Sequence, residues 1–109
     1  MPSYSSGDVV LVRYPFADLT TSKVRPAVAV GAPHASQDII VAPLMSKTGN
    51  LQQGEFILKD WAGAGLRLPT AAKRGIFSVH ETLAIQAIGQ LSLLDSQQLE
   101  RSLRAWLGL

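Results

Sequence analysis

The chain alternates short apolar runs with polar breaks at intervals that suit strands better than helices. Residues 8–14 (DVVLVRY) are β-branched and aromatic and predict a first strand, which Pro15 ends. Residues 16–24 (FADLTTSKV) are polar and predict a loop. Residues 25–30 (RPAVAV) predict a second strand; Pro26 cannot donate to a ladder, so it belongs at that strand's start or on an edge. Turn chemistry at 31–36 (GAPHAS) leads to a third strand at 38–44 (DIIVAPL). Residues 46–54 (SKTGNLQQG) carry no apolar pattern beyond Leu51 and predict a mobile loop, followed by a short fourth strand at 55–58. Residues 60–65 (DWAGAG) predict one helical turn stopped by its glycines, and two further strands follow around 70–79 and 83–91, joined by a turn at 80–82.

At the C-terminus the period changes. Asp95 can N-cap a helix, with Gln98 three positions on as in a capping box. Leu99, Leu103, Trp106 and Leu107 then recur at helical spacing and form one apolar face, under which Trp106 is expected to pack. Six short strands and one terminal helix predict a mainly β fold with a C-terminal helix, a strongly bent sheet or small barrel closed at one end by that helix. No repeat, low-complexity tract or dividing linker interrupts residues 1–109, which read as a single domain.

Composition adds a partner. A hydrophobic fraction of 47% with only 17% charged residues leans apolar, which predicts a face covered by another molecule. The net charge of +2 allows a nucleic-acid binder without demanding one. The absence of cysteine removes disulfides, thiolate catalysis and cysteine-based metal sites. The start MPSYSSGDVV lacks the charged and apolar regions of a secretory signal, and no apolar run approaches the roughly 20 residues that span a bilayer. No membrane partner is expected, and the cytoplasm is the expected location.

Few residues are spaced for a familiar chemistry. His34 and His80 fall in turns outside any metal-ligand spacing and read as turn or surface residues. Lys47-Thr48 superficially matches the end of a phosphate-binding loop, but residues 41–46 (VAPLMS) lack the glycines that let amides surround a phosphate. Acidic residues are scattered singly, which gives no support to a two-carboxylate or two-metal site. No metal and no cofactor are expected. What remains is basic and hydroxyl residues at strand ends: Lys23 and Arg25 at the start of the second strand, Ser46, Lys47 and Thr48 after the third. If those strands pair as a hairpin, both groups fall at one end of the sheet. An arginine fork beside hydroxyls and a lysine suits a phosphodiester, because the guanidinium binds two phosphate oxygens and stays charged. A solvated sheet rim would carry the same residues, so spacing alone leaves both readings open.

The order of motifs narrows the choice. Gly7-Asp8-Val9-Val10 opens a strand that Pro15-Phe16 closes, and Lys23-Val24-Arg25-Pro26-Ala27-Val28 follows a polar loop. Then come Ile40-Val41-Ala42-Pro43-Leu44-Met45-Ser46 and, before the helix, Ile88-Gly89-Gln90-Leu91. This order, from about residue 6 to the C-terminus, is similar to the MazF/PemK toxins of type II toxin–antitoxin systems. The resemblance implies a small SH3-like barrel of the MazF/Kid/CcdB type, a homodimer, a cognate antitoxin, and sequence-selective, metal-independent cleavage of single-stranded RNA. In that family the ribose 2′-hydroxyl attacks the adjacent phosphate. The resemblance makes Arg25 the main catalytic residue and places Met45 and Ser46 beside it. It assigns RNA binding to Lys23, Lys47, Lys73 and Arg74, with Phe56 either stacking on a base or packing inward. Arginine is a poor general base, so the group that removes the 2′-proton stays open.

Two departures stand out. Met45 occupies the position where the family usually has a threonine whose hydroxyl partners the arginine, while Ser46 is retained. Ser46 taking over, a weak enzyme and an inactive variant are then all open. Around Lys73-Arg74-Gly75 many relatives have a basic residue followed by an acid, and here the acid is missing. A non-catalytic binding toxin of the gyrase-poison type is the competing class, with Trp106 and Leu107-Gly108-Leu109 as its protein-binding residues.

Overall fold

Both faces of the central strands are covered, which is why their sequences read as continuous apolar runs rather than strict alternations. The computed structural model describes residues 4–14, 23–31 and 37–109. It contains strands β1 (Asp8–Tyr14), β2 (Lys23–Ala29), β3 (Asp38–Met45), β4 (Phe56–Ile57), β5 (Ala71–Ala72), β6 (Phe77–His80) and β7 (Ala84–Gln90). A 3-10 turn at Glu81–Leu83 joins the last two, and helix α1 spans Leu93–Leu107. The strands pair antiparallel in the order β4-β5-β3-β2-β1-β7, with β6 also on β3. The expected class, mainly β with a C-terminal helix, is the observed one.

One face of this bent sheet encloses a core of Tyr4, Val10, Val12, Ala27, Ala29, Val41, Val79 and Ala84. The other face carries Val9, Val28, Ala42, Leu44 and Ala72, and is covered by Leu58, Ala64, Leu91 and Leu99. Adjacent residues such as Val9 and Val10, each fully buried, therefore serve opposite cores.

Several elements differ from the sequence expectation. β2 begins at Lys23, so Pro26 lies inside the strand; its β3 ladder starts only at Ala27, which leaves Pro26 paired on the β1 side alone. The strand expected over 70–79 is two strands on the same edge of β3: β5 against Leu44 and Met45, β6 against Asp38–Val41. Pro43 lies between those ladders and has no N–H to donate; opposite it, residues 73–76 bulge outward, Gly75 at φ +154°. The single helical turn expected over 60–65 is present as one i→i+4 bond, Ala64 N–H donating to the Asp60 carbonyl at 3.2 Å within a run of turns that Gly65 ends at φ +89°.

Helix α1 is capped by Ser92, not Asp95: the Ser92 hydroxyl accepts from Asp95 N–H at 3.2 Å. Asp95 is 1% exposed, and its carboxylate accepts from the backbone N–H groups of Lys59 (2.9 Å) and Asp60 (3.0 Å). Trp106 is half-buried and lies at the rim of the helix, its indole N–H donating to the Gln53 carbonyl at 2.9 Å. Nearby, Ser102 donates to the Gly54 carbonyl at 2.7 Å. Gly54 sits at φ +86°, and a Cβ there would collide with the Trp106 indole. The C-terminal half of the 46–54 loop is thus tied to α1 by two backbone carbonyls.

Candidate functional site

Antiparallel register sets the geometry of the basic end. Ala27 faces Pro43 and Ala29 faces Val41; continuing that register by two residues brings Arg25 opposite Met45. Side chains two apart share a face, so Arg25 follows Ala27 and Ala29, and Met45 follows Val41 and Pro43, on the face of the first core. On its other side Arg25 pairs with Val12, which belongs to that core, and Met45 pairs with Ala71. By that extension Arg25 and Met45 fall on one face at the same end of the sheet, just beyond the last β2–β3 pair; Arg25 is exposed and Met45 half-buried. Lys23 lies on the same face two residues earlier and is exposed. Ser46, just past the strand, is exposed, as is Lys47, while Thr48 is half-buried.

The next row of the same face comes from the bulge. Lys73 N–H donates to the Pro43 carbonyl at 3.0 Å, extending the β3–β5 ladder by one residue and setting Lys73 beside the Arg25–Met45 row. Arg74, exposed, instead borders a small hollow of about 130 Å³ with Ile76, Leu103, Trp106 and Leu107, toward the end of α1. The two bases assigned jointly to RNA thus stand in different places. Phe56 is half-buried and packs against the core of Leu44, Leu58 and Leu99, which is the inward alternative for that side chain.

An acid does reach this segment, from the turn that precedes β4. Glu55 accepts from Arg74 N–H at 2.8 Å through one carboxylate oxygen and from Gln52 N–H at 2.7 Å through the other. The Arg74 N–H, then the Gln52 N–H, hold its carboxyl below the ordinary glutamate value against a small opposing effect of burial; the charges of Lys73 and Arg74 add to the shift. Sequence reasoning missed this residue because the contact spans 19 positions. Its one sequence signal was an acid opening the short strand that leads back toward the basic pair.

His80 is exposed and caps the 3-10 turn, its ring nitrogen accepting from Thr82 N–H at 3.2 Å, in keeping with a turn residue. His34 and the loop residues 15–22 lie outside the described residues.

A cationic row thus stands at one end of an antiparallel sheet whose other face is covered by the C-terminal helix. A family model for "PemK-like, MazF-like toxin of type II toxin-antitoxin system" matches residues 5–107, and the chain belongs to that family. A search of curated protein sequences found no match. Among solved structures, the MazE–MazF complex of Deinococcus radiodurans aligns at a TM-score of 0.80 with 15% identity, covering 100% of this chain and 99% of that one. The Mycobacterium tuberculosis toxin MazF-mt6 aligns at 0.75 with 18% identity, covering 94% and 97%. A mycobacterial endoribonuclease in complex with its cognate antitoxin aligns at 0.76 with 12% identity, covering 100% and 97%. At these identities the structures bear on the fold, and it is the MazF fold. No helix among the described residues is long and apolar enough to cross a membrane.

Proposed function

We propose that this toxin is a metal-independent endoribonuclease that cuts single-stranded RNA, with Arg25 as its catalytic centre. The observation that supports the reading is the exposed Lys23 and Arg25 at the start of β2, which the β2–β3 register, carried two residues past its last pair Ala27–Pro43, brings toward Met45, with Lys73 held nearby by the Pro43 carbonyl. Attack of a 2′-hydroxyl on the neighbouring phosphate builds negative charge on the phosphoryl oxygens, and a fixed guanidinium stabilises charge that exists only in the transition state. Only RNA provides that internal nucleophile. Ser46 stands next to the position that lacks a hydroxyl and is the nearest residue in sequence able to donate one to the same oxygens.

Two partners go with this activity. A second copy of the chain fits the exposed apolar surface, where Ile40 is 43% exposed, Leu93 73% and Leu107 49%, around a groove of about 680 Å³ between α1 and the sheet. A cognate antitoxin with an acidic or apolar tail fits the basic face, as two of the structurally similar toxins are complexes with antitoxins. The engaged indole of Trp106 gives no observation that favours the gyrase-poison alternative.

Incubation of the purified protein with long single-stranded RNA in excess chelator tests the reading. Discrete fragments ending in cyclic phosphate are expected; intact RNA after prolonged incubation at stoichiometric protein would overturn it.

A further inference from the structure

We infer that Glu55 is a positioning residue for RNA: its carboxylate clips the 73–76 bulge to the 52–55 turn and holds Lys73 on the Arg25 face. The inference rests on the RNA reading above and adds a residue to it.

Three observations meet at this side chain. Its two oxygens accept from two different segments, Gln52 N–H and Arg74 N–H, so it is a bridge and not a cap of either. Phe56 pairs with Ala72, and continuing that register one residue sets Glu55 across from Lys73, whose own N–H is held by Pro43. The turn that carries Glu55 is itself fixed, because α1 holds the Gln53 and Gly54 carbonyls through Trp106 and Ser102. A bulge four residues long opposite a proline has few ladder bonds of its own, and the carboxylate replaces one of them.

The same geometry argues against Glu55 as the missing general base. Both oxygens are occupied by amide donors, and those bonds favour the charged form, which makes the group a weaker proton acceptor. Positioning also makes a counterintuitive demand on sign. A carboxylate beside a phosphate-binding row repels RNA, so if charge were its whole effect, Glu55→Gln would tighten binding. A clip predicts the opposite, because the two N–H groups approach different carboxylate oxygens, and a glutamine turns an NH2 donor toward one of them.

The test uses the full protein and a labelled, mixed-sequence single-stranded RNA carrying 2′-fluoro groups, which cannot be cut. Glu55→Gln is expected to weaken binding about fivefold to tenfold, the scale of losing one hydrogen bond to a charged group. In a Lys73→Ala background the same substitution should change binding less than about twofold, because the effect acts through Lys73. With cleavable RNA, KM should rise while kcat stays near the parent value. Amide exchange at Arg74 in the free variant should accelerate, a readout that is independent of RNA and reports loss of the clip in folded protein. Unchanged or tighter RNA binding by Glu55→Gln overturns the inference while leaving the RNA reading intact. So does an equal loss with and without Lys73, or an unchanged Arg74 amide. Failure of the parent protein to bind RNA at all would instead remove the RNA reading, and the inference with it.

Discussion

The two faces of the central sheet use polar side chains in opposite ways. On the face that α1 covers, Asp95 and Ser102 are 1% and 3% exposed, and both are matched to backbone groups of the 52–60 segment. On the opposite face, at the end of β2 and β3, Lys23, Arg25 and Lys73 stand exposed on short ladders. Buried polar groups that satisfy the backbone stabilise the fold and tolerate little change. Exposed cations at a strand end contribute little to stability and are available to a ligand. On the proposed function, folding and chemistry then rest on different residues of one sheet, and each can be broken separately.

The largest effect is expected at Arg25. Arg25→Ala should lower RNA cleavage by about 10²-fold or more, as for loss of other donors aimed at transition-state charge. Its thermal unfolding should stay within about 0.5 kcal/mol of the parent, since the side chain is exposed. Near-parent cleavage rates would move the active site elsewhere; a collapsed fold would show that the two faces are not separable.

Asp95→Ala is the converse. It strands two backbone N–H groups, those of Lys59 and Asp60, and should cost about 2–4 kcal/mol in denaturant unfolding. Cleavage per folded molecule should be unchanged. A loss of activity beyond the loss of folded protein would couple the helix side to the chemistry.

These residues also mark what the sequence could and could not tell. β1, β3 and the helix were legible because apolar runs and helical spacing are local signals. The cap was misplaced because Ser92 and Asp95 are both good N-caps, and only the chain 36 positions away at Lys59 decides which one is left free to cap. The break between β5 and β6 came from Pro43 on the neighbouring strand, not from the broken strand's own composition. Trp106 keeps helical spacing with Leu99 and Leu103, yet its indole N–H needed an acceptor that only the folded 53–54 turn provides. Of the candidate site, Lys23, Arg25 and Met45 were legible as two strand ends that a hairpin would bring together. Lys73 joined them and Arg74 did not, because the bulge separates the two side chains.

Met45→Thr sharpens the comparison at intermediate scale. Restoring a hydroxyl opposite Arg25 should raise cleavage, while the smaller side chain gives up packing worth about 1–2 kcal/mol at a half-buried position. Activity and stability would then move in opposite directions, as expected of a residue at the border of the two regimes. Ser46→Ala should matter more in the parent than in the Met45→Thr background if Ser46 carries the hydroxyl role. Equal cleavage by parent and variant, with Ser46 dispensable in both, would remove this hydroxyl from the mechanism.

The smallest effect concerns acid. Glu55 has a folded-state pKa below its unfolded value, set first by the Arg74 N–H and then by the Gln52 N–H. A depressed carboxylate contributes its full stability at pH values above the unfolded pKa and loses it as pH falls through the folded pKa. The charges of Lys73 and Arg74 add to the shift. The stability gap between the parent and Glu55→Gln should therefore be complete at neutral pH, begin to close below the usual glutamate range, and vanish in stronger acid. Paired urea titrations from neutral pH to about pH 3 measure it, and solvent screening at this surface keeps the gap small. Asp95→Ala should show a larger deficit at neutral pH in the same titrations, since its carboxylate is buried and that of Glu55 is open to solvent screening. A gap for Glu55→Gln that widens in acid would reverse the sign of the linkage, and would mean that the protonated form is the one the clip prefers.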